Sequence, residues 1–264
     1  MKLAFDHATE LLCFTMEISL DPGLPKMLRE PLSRRDAEKW KEALMSEILN
    51  FLKRDAWRRV PMSQVLQEGQ KAIPMKPVFK IKNEQDGSAR YKARIMTKGY
   101  LMIPGVDYTE SFSPVTTEVG VWCVIGISLY FINEDIVQNV PTERRWILEL
   151  YDVEAAFLNA NLGGKMYIKI PDEMVELGYV THEEQQLYAI LLDQNMYGNI
   201  DVALRFFEKY SGILVTNLSL TQSQTDPCIF FKHDKAGKLN LLISTHVDDS
   251  LIGGRKWVME AFFK

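Results

Sequence analysis

The stretch THVDDSLIGG, residues 245–254, sets Asp248 and Asp249 side by side between an apolar run and a glycine pair. Adjacent carboxylates repel each other, and an apolar flank makes their ionised forms costlier still. A third acid, Asp152, closes the strand-like run WILELYDV. An acid where a strand opens into a loop is a common place for a reactive group, although Asp152 taken alone reads more readily as a cap for the short helix or turn expected at EAAFLNA. If the two strands are neighbours in one sheet, the three acids converge, and converged carboxylates need cations among them. Hard ions such as Mg²⁺ take oxygen ligands, typically a few carboxylates plus substrate phosphates. Two such ions roughly 4 Å apart activate a 3′-hydroxyl and stabilise a leaving pyrophosphate oxygen.

A second set of residues supplies the opposite charge. The segment KPVFKIKNEQDGSARYKARIMTKGY (76–100) has two apolar–polar runs around Asp86-Gly87, a strong hairpin signal. It carries Lys76, Lys80, Lys82, Arg90, Lys92, Arg94 and Lys98 against Glu84 and Asp86, in a chain whose net charge is −4. A basic run is often a solvated face; here it also suits an anion cradle for phosphates. With a period of two, Lys80 and Lys82 project to one side of their strand, and Lys92 and Arg94 to one side of theirs. If those sides match, four cations share one face. Acid pair, distant acid and basic hairpin together fit nucleotidyl transfer.

The elements that must position these groups are partly legible. DAEKWKEALMSEILNFLKRDAW (36–57) has Trp40, Ala43, Leu44, Ile48, Leu49 and Leu52 at helical steps, with Ser33 upstream as an N-cap. VGVWCVIGISLYFI (119–132) is 14 residues long, too short for a bilayer, and reads as a buried helix. Residues 187–215 read as a strand or short helix, a turn at Gly198-Asn199, and a helix with Val202, Leu204, Phe206 and Phe207 on one face and Asp201 in its first turn. CIFFKH pairs across DKAGK with LNLLISTHV, and a turn at Asp248-Asp249 leads into SLIGG. Residues 1–30 have no clean period and read as a linker or fragment edge.

Bulk composition is that of an ordinary globular chain: 264 residues, 47% hydrophobic and 25% charged. Cys13, Cys123 and Cys228 lie too far apart for a disulfide framework or a zinc pattern. They suit a reducing compartment. Asp6, Glu10 and Glu17 make the N-terminus a poor signal peptide.

The order of these motifs resembles the reverse transcriptase domain of copia-type (Pseudoviridae) LTR retrotransposon Pol polyproteins. EPLSRRDAEKWKEALMSEI, FKIKNEQDGSARYKARIMTKGY, GVDYTESFSPV, LYDVEAAFLNANLGGKMYIKIP and THVDDSLIGG match that family's segments in order, from about residue 30 onward. MYGNIDVALRFF occupies the place of its Tyr-Gly-Leu-Lys-Gln segment. The resemblance implies an α+β fold: a polymerase palm, with an antiparallel sheet and helices on one face, plus fingers. The palm would be mainly 119–264 and the fingers mainly 31–118, with the thumb short or absent and no RNase H-like segment.

It further implies RNA-directed DNA polymerisation with two Mg²⁺ ions, Mn²⁺ being a substitute, held by Asp152, Asp248, Asp249 and the Val153 carbonyl. Lys82 or Lys92 with Arg94 would hold the triphosphate, and Val153, Ala156 and Phe157 would line the nucleotide, with Phe157 a gate against a ribose 2′-hydroxyl. His246 and Val247 would approach the primer end. Partners would be RNA template, DNA primer, dNTPs and the polyprotein's integrase and RNase H, with no membrane. The location would be a cytoplasmic virus-like particle, or the nucleus. Several positions depart from the family pattern: His246 for Tyr, Asp201 for Gln, Pro77 for Trp, Met102 for Gln and Ala160 for Gly. The rival readings are an inactive remnant that at most binds nucleic acid, and a template-independent transferase of the same palm type.

Overall fold

The computed structural model describes residues 35–53, 57–83 and 86–262. The linker reading of residues 1–30 and the Ser33 cap lie outside the described residues. In chain order the elements are α1 (Ala37–Lys53), β1 (Trp57–Pro61), α2 (Met62–Gln67), β2 (Ala72–Ile73), β3 (Met75–Asn83), β4 (Ala89–Thr97), α3 (Glu118–Val137), β5 (Trp146–Asp152), β6 (Tyr167–Lys169), α4 (Asp172–Glu176), α5 (His182–Leu187), β7 (Tyr188–Leu192), α6 (Val202–Gly212), β8 (Thr221–Gln222), β9 (Ile229–His233), β10 (Leu239–His246), β11 (Asp249–Arg255) and α7 (Lys256–Phe262). The fold is a mixture of helices and largely antiparallel sheets. It divides into two compact units: Phe112–Ala156 with the described residues from Phe206 onward, and the described residues up to Ser111 with Phe157–Arg205. The units interleave along the chain.

The first unit is built on a five-stranded sheet in the order β5-β11-β10-β9-β8. One face packs Phe230, Leu241, Ile243 and Ile252 against Leu214, Leu220 and the α7 residues Val258 and Met259. The other packs Trp146, Leu148, Leu242 and Leu251 against Val124, Phe131 and Ile132 of α3. Helices therefore cover both faces, not the one face that the resemblance implies. The cause is legible in β11, whose Leu-Ile-Gly-Gly run has no polar parity to give to water. The glycine pair serves this double burial. A side chain at Gly253 would collide with Ser128 of α3 and press on the Trp146 indole nitrogen, and one at Gly254 would press on Leu241.

Helix α3 corrects another expectation. It runs for 20 residues, and by length and composition alone it is apolar enough to cross a membrane. Only one stripe, Gly120, Val124, Ser128 and Asp135, is buried. Asp135 accepts from the Trp146 backbone N–H at 2.6 Å and from Arg255 at 2.5 Å, which ties the helix to β5 and β11. Val119, Trp122, Tyr130 and Val137 face outward. A single sheet face buries only one side of a helix, however apolar the other side is.

In the second unit, β3 and β4 form a hairpin in register from Met75↔Thr97 to Asn83↔Ala89. Trp40, Leu44, Ile48 and Phe51 are the buried residues of α1. Leu49, expected on that face, is exposed. The Trp40 ring meets Phe79 and Tyr91 edge-on, with centroids 5.2 and 4.6 Å away, so α1 covers the apolar side of the hairpin. A four-stranded sheet in the order β1-β7-β6-β2 forms the rest of this unit's frame.

Gly253→Ala is expected to lower the free energy of unfolding by about 1–3 kcal/mol, the usual result of overpacking a filled contact. Urea denaturation followed by circular dichroism measures it.

Candidate active site

In the first unit, β5 and β11 are antiparallel neighbours, and Asp152 lies directly opposite Asp249. Asp249 in turn lies opposite His246 of β10. Cross-strand partners share a face, so His246, Asp249 and Asp152 form a row across three strands. Their Cβ atoms are spaced by about 4.5–5.5 Å in such a ladder, and like charges placed there destabilise the sheet. The β10–β11 hairpin turns over Val247 and Asp248, one residue earlier than expected, so Asp249 is already a strand residue. Val247 has φ of +56°, a backbone region that a β-branched residue rarely adopts and that is typical of strained functional turns.

The Asp248 carbonyl accepts the Val153 N–H at 2.9 Å, which fastens the turn to the chain leaving β5. The Val153 carbonyl accepts from Ala156 N–H at 3.2 Å, leaving a second lone pair for another ligand. Ala155 has φ of +53°, and Ala156 is buried where a 3₁₀ turn over Ala156–Asn159 begins.

Among the described residues no three His, Cys, Asp or Glu side chains are gathered into a group that could hold a metal by itself. The chemistry of the donor set nonetheless fits Mg²⁺. That ion is commonly held by one or two carboxylates, with water and substrate phosphates completing its shell. Asp152 and Asp249, with Asp248 and the Val153 carbonyl beside them, are oxygen donors of that kind.

In the second unit, the hairpin register pairs Lys80 with Lys92, Lys82 with Arg90 and Val78 with Arg94. The two basic sides match, so Lys80, Lys82, Arg90, Lys92 and Arg94 share one face, opposite the face covered by α1. Burial lowers the pKa of Lys92, and repulsion from Arg94, Lys82 and Arg90 adds to it. Crowded cations of this kind are relieved by a bound anion. Arg94 stacks over the Tyr197 ring at 4.5 Å, and that ring lies 5.5 Å from the ring of Phe157. Sequence reasoning does not single out Tyr197, whose signal is its place in the MYGN segment.

Asp201 is 3% exposed. It turns to Arg205 one helical turn later, with Oδ2 accepting from Nε at 3.1 Å. Its charge is thus neutralised within α6. The Met102 sulfur accepts the Ile200 N–H at 3.5 Å, and the Ala160 carbonyl accepts the Asn195 N–H at 3.1 Å. Only the Met102 departure acts through its side chain; the carbonyl of residue 160 would be the same with glycine there.

A cleft of about 1130 Å³ in the second unit is lined by Lys76, Lys98, Tyr100, Lys169, Glu173 and His182, among others. Burial raises the Glu173 carboxyl above its ordinary value, and Asp172 and Glu176 add repulsion.

These features define a protein with an acid-bearing antiparallel sheet and a cationic hairpin, the parts that nucleotide polymerisation requires. A profile of the family "Reverse transcriptase (RNA-dependent DNA polymerase)" matches residues 57–264, and the chain belongs to that family. Similar proteins include the "Retrovirus-related Pol polyprotein from transposon TNT 1-94" of Nicotiana tabacum, 25% identical over 89% of this chain and 16% of that protein. The corresponding polyproteins of transposons RE1 and RE2 of Arabidopsis thaliana are 29% and 27% identical, over 82% and 84% of this chain and 13% and 14% of theirs. All three are copia-type retrotransposon polyproteins. The chain spans less than a fifth of the length of each.

Two outcomes follow. Val247→Gly removes the strain at the turn and is expected to raise the unfolding free energy by about 1 kcal/mol, read from the denaturation midpoint. Glu173 binds its proton more tightly in the folded chain, so stability falls as pH rises above the ordinary carboxyl value of 4.5. Glu173→Gln is expected to flatten that fall, measured as denaturation midpoints between about pH 4.5 and 8.

Proposed function

We propose that this chain is the catalytic core of an RNA-directed DNA polymerase, extending a DNA primer on an RNA template by nucleotidyl transfer from dNTPs. The observation that carries the reading is the cross-strand placement of Asp152 opposite Asp249, beside the Val247-Asp248 turn. In this reading the first unit is the palm and the second the fingers. Asp152, Asp248, Asp249 and the Val153 carbonyl hold two divalent ions, Mg²⁺ or, in substitution, Mn²⁺. When bound, these ions offset the carboxylate charges, activate the primer 3′-hydroxyl and stabilise the leaving pyrophosphate.

The remaining work belongs to side chains. Arg94 grips phosphate oxygens in pairs through its planar fork. Lys92, Lys80 and Lys82 on the same face add positive charge. Phe157 lies under the incoming sugar and excludes a 2′-hydroxyl, and Ala156 also lines the nucleotide. His246 and Val247 border the primer end. The other partners are the RNase H and integrase parts of a longer Pol polyprotein, working in a cytoplasmic virus-like particle. A second reading, a copy that binds nucleic acid without catalysis, is favoured by Asp201. Where the family pattern has glutamine, its carboxylate is committed to Arg205 and offers the nucleotide nothing.

Primer extension on an RNA template with Mg²⁺ or Mn²⁺ separates the two. The polymerase reading expects extension that drops to background in Asp152→Asn and Asp248→Asn, with unchanged circular dichroism. Extension that persists in both variants, or none from folded wild-type chain with either metal, overturns it. Extension without any template would point instead to a template-independent transferase.

A further inference from the structure

We infer that Tyr197 is a positioning residue: its ring holds the Arg94 guanidinium in place to receive the nucleotide's triphosphate, and couples that grip to Phe157. This rests on the polymerase reading above and adds a residue to it. The phenol ring contacts both groups at once, with the guanidinium 4.5 Å from its centroid and the Phe157 ring 5.5 Å away at 58°. A free arginine samples many rotamers, and one stacked on a ring loses less freedom when it binds.

The backbone beneath the ring is fixed to an extent that a surface turn does not need. The Tyr197 carbonyl accepts the Thr97 N–H at 2.8 Å and the Thr97 hydroxyl at 3.2 Å. Gly198 follows with φ of +91°, and a side chain there would run into the Thr97 backbone. The Thr97 hydroxyl shares its one proton between the Tyr197 carbonyl and Asn199 Oδ1, 2.7 Å away, and Asn199 Nδ2 donates to Asn195 Oδ1 at 2.6 Å. Asn195 donates from its backbone to the Ala160 carbonyl and from its side chain to the Asn161 carbonyl, each at 3.1 Å. Asn195 and Asn199 are both buried. A buried, satisfied polar network of this kind specifies one geometry. It joins the end of β4, three residues past Arg94, to the chain three residues past Phe157, with Tyr197 standing between.

The test measures two quantities on the full chain: affinity for inorganic tripolyphosphate by titration calorimetry, and the KM and kcat for dNTP in primer extension. Tyr197→Leu is expected to weaken tripolyphosphate and raise the dNTP KM, each about tenfold, with kcat within about twofold of wild type. Tyr197→Phe keeps the ring and is expected to match wild type. A purely structural role would instead lower the thermal midpoint and kcat and leave phosphate affinity alone. Unchanged tripolyphosphate affinity in a folded Tyr197→Leu chain overturns the inference. If that variant does not fold, Arg94→Lys, which keeps the charge but loses the stacking plane, is expected to show the same weakening, and wild-type affinity there overturns it. If no chain extends primers yet tripolyphosphate affinity depends on Tyr197, the polymerase reading fails and the role of Tyr197 stands.

Discussion

The first unit sets two like charges against each other across a strand pair. An antiparallel ladder places Asp152 and Asp249 on the same face of adjacent strands, the spacing at which two carboxylates repel most directly within a sheet. The surrounding structure removes the easy escapes. The β10–β11 hairpin is closed by a two-residue turn with Val247 in the left-handed region, and the Asp248 carbonyl is bonded to the Val153 N–H. The backbones that carry the acids cannot separate without breaking the end of the ladder. The ladder is in turn held by apolar packing on both faces, with α3 pressed onto Gly253 on one side and α7 onto the other. Carboxylates held together on one face are the kind of oxygen donors that suit a divalent cation.

The second unit states the same argument with the sign reversed. Six cations, Lys76 among them, share one face of the β3–β4 hairpin, because α1 covers the apolar residues of the other. Burial lowers the pKa of Lys92, and repulsion from Arg94, Lys82 and Arg90 adds to it. A bound anion relieves such crowding. Asp201 shows how the unit keeps an acid from interfering: a partner one helical turn away neutralises it below the surface.

Much of this was legible because it rests on period and punctuation. The hairpin at Asp86-Gly87, the strand ending on Asp152 and the strand pair around DKAGK are local patterns, and each forms within a few residues of where the pattern puts it. What failed to read did so for tertiary reasons. The 119–132 run reads as buried because it is apolar all round, yet one sheet face buries only a stripe of it. Leu49 lies on the apolar arc of α1 but beyond the width that the hairpin covers. The covering of both sheet faces depends on which elements come back to the sheet, and no local pattern encodes that.

By itself the sequence determined the chemistry on offer: three acids at strand ends, a basic hairpin, and a motif order shared with reverse transcriptases. These are properties of residue type and spacing, and they survive any arrangement in space. Only the tertiary structure decided which acid faces which, that the two basic sides coincide, that Asp201 is spent on Arg205, and that Tyr197 stands between Arg94 and Phe157. Register and packing bring together residues up to about a hundred positions apart, and the free energy that selects them is shared among all the contacts of the fold.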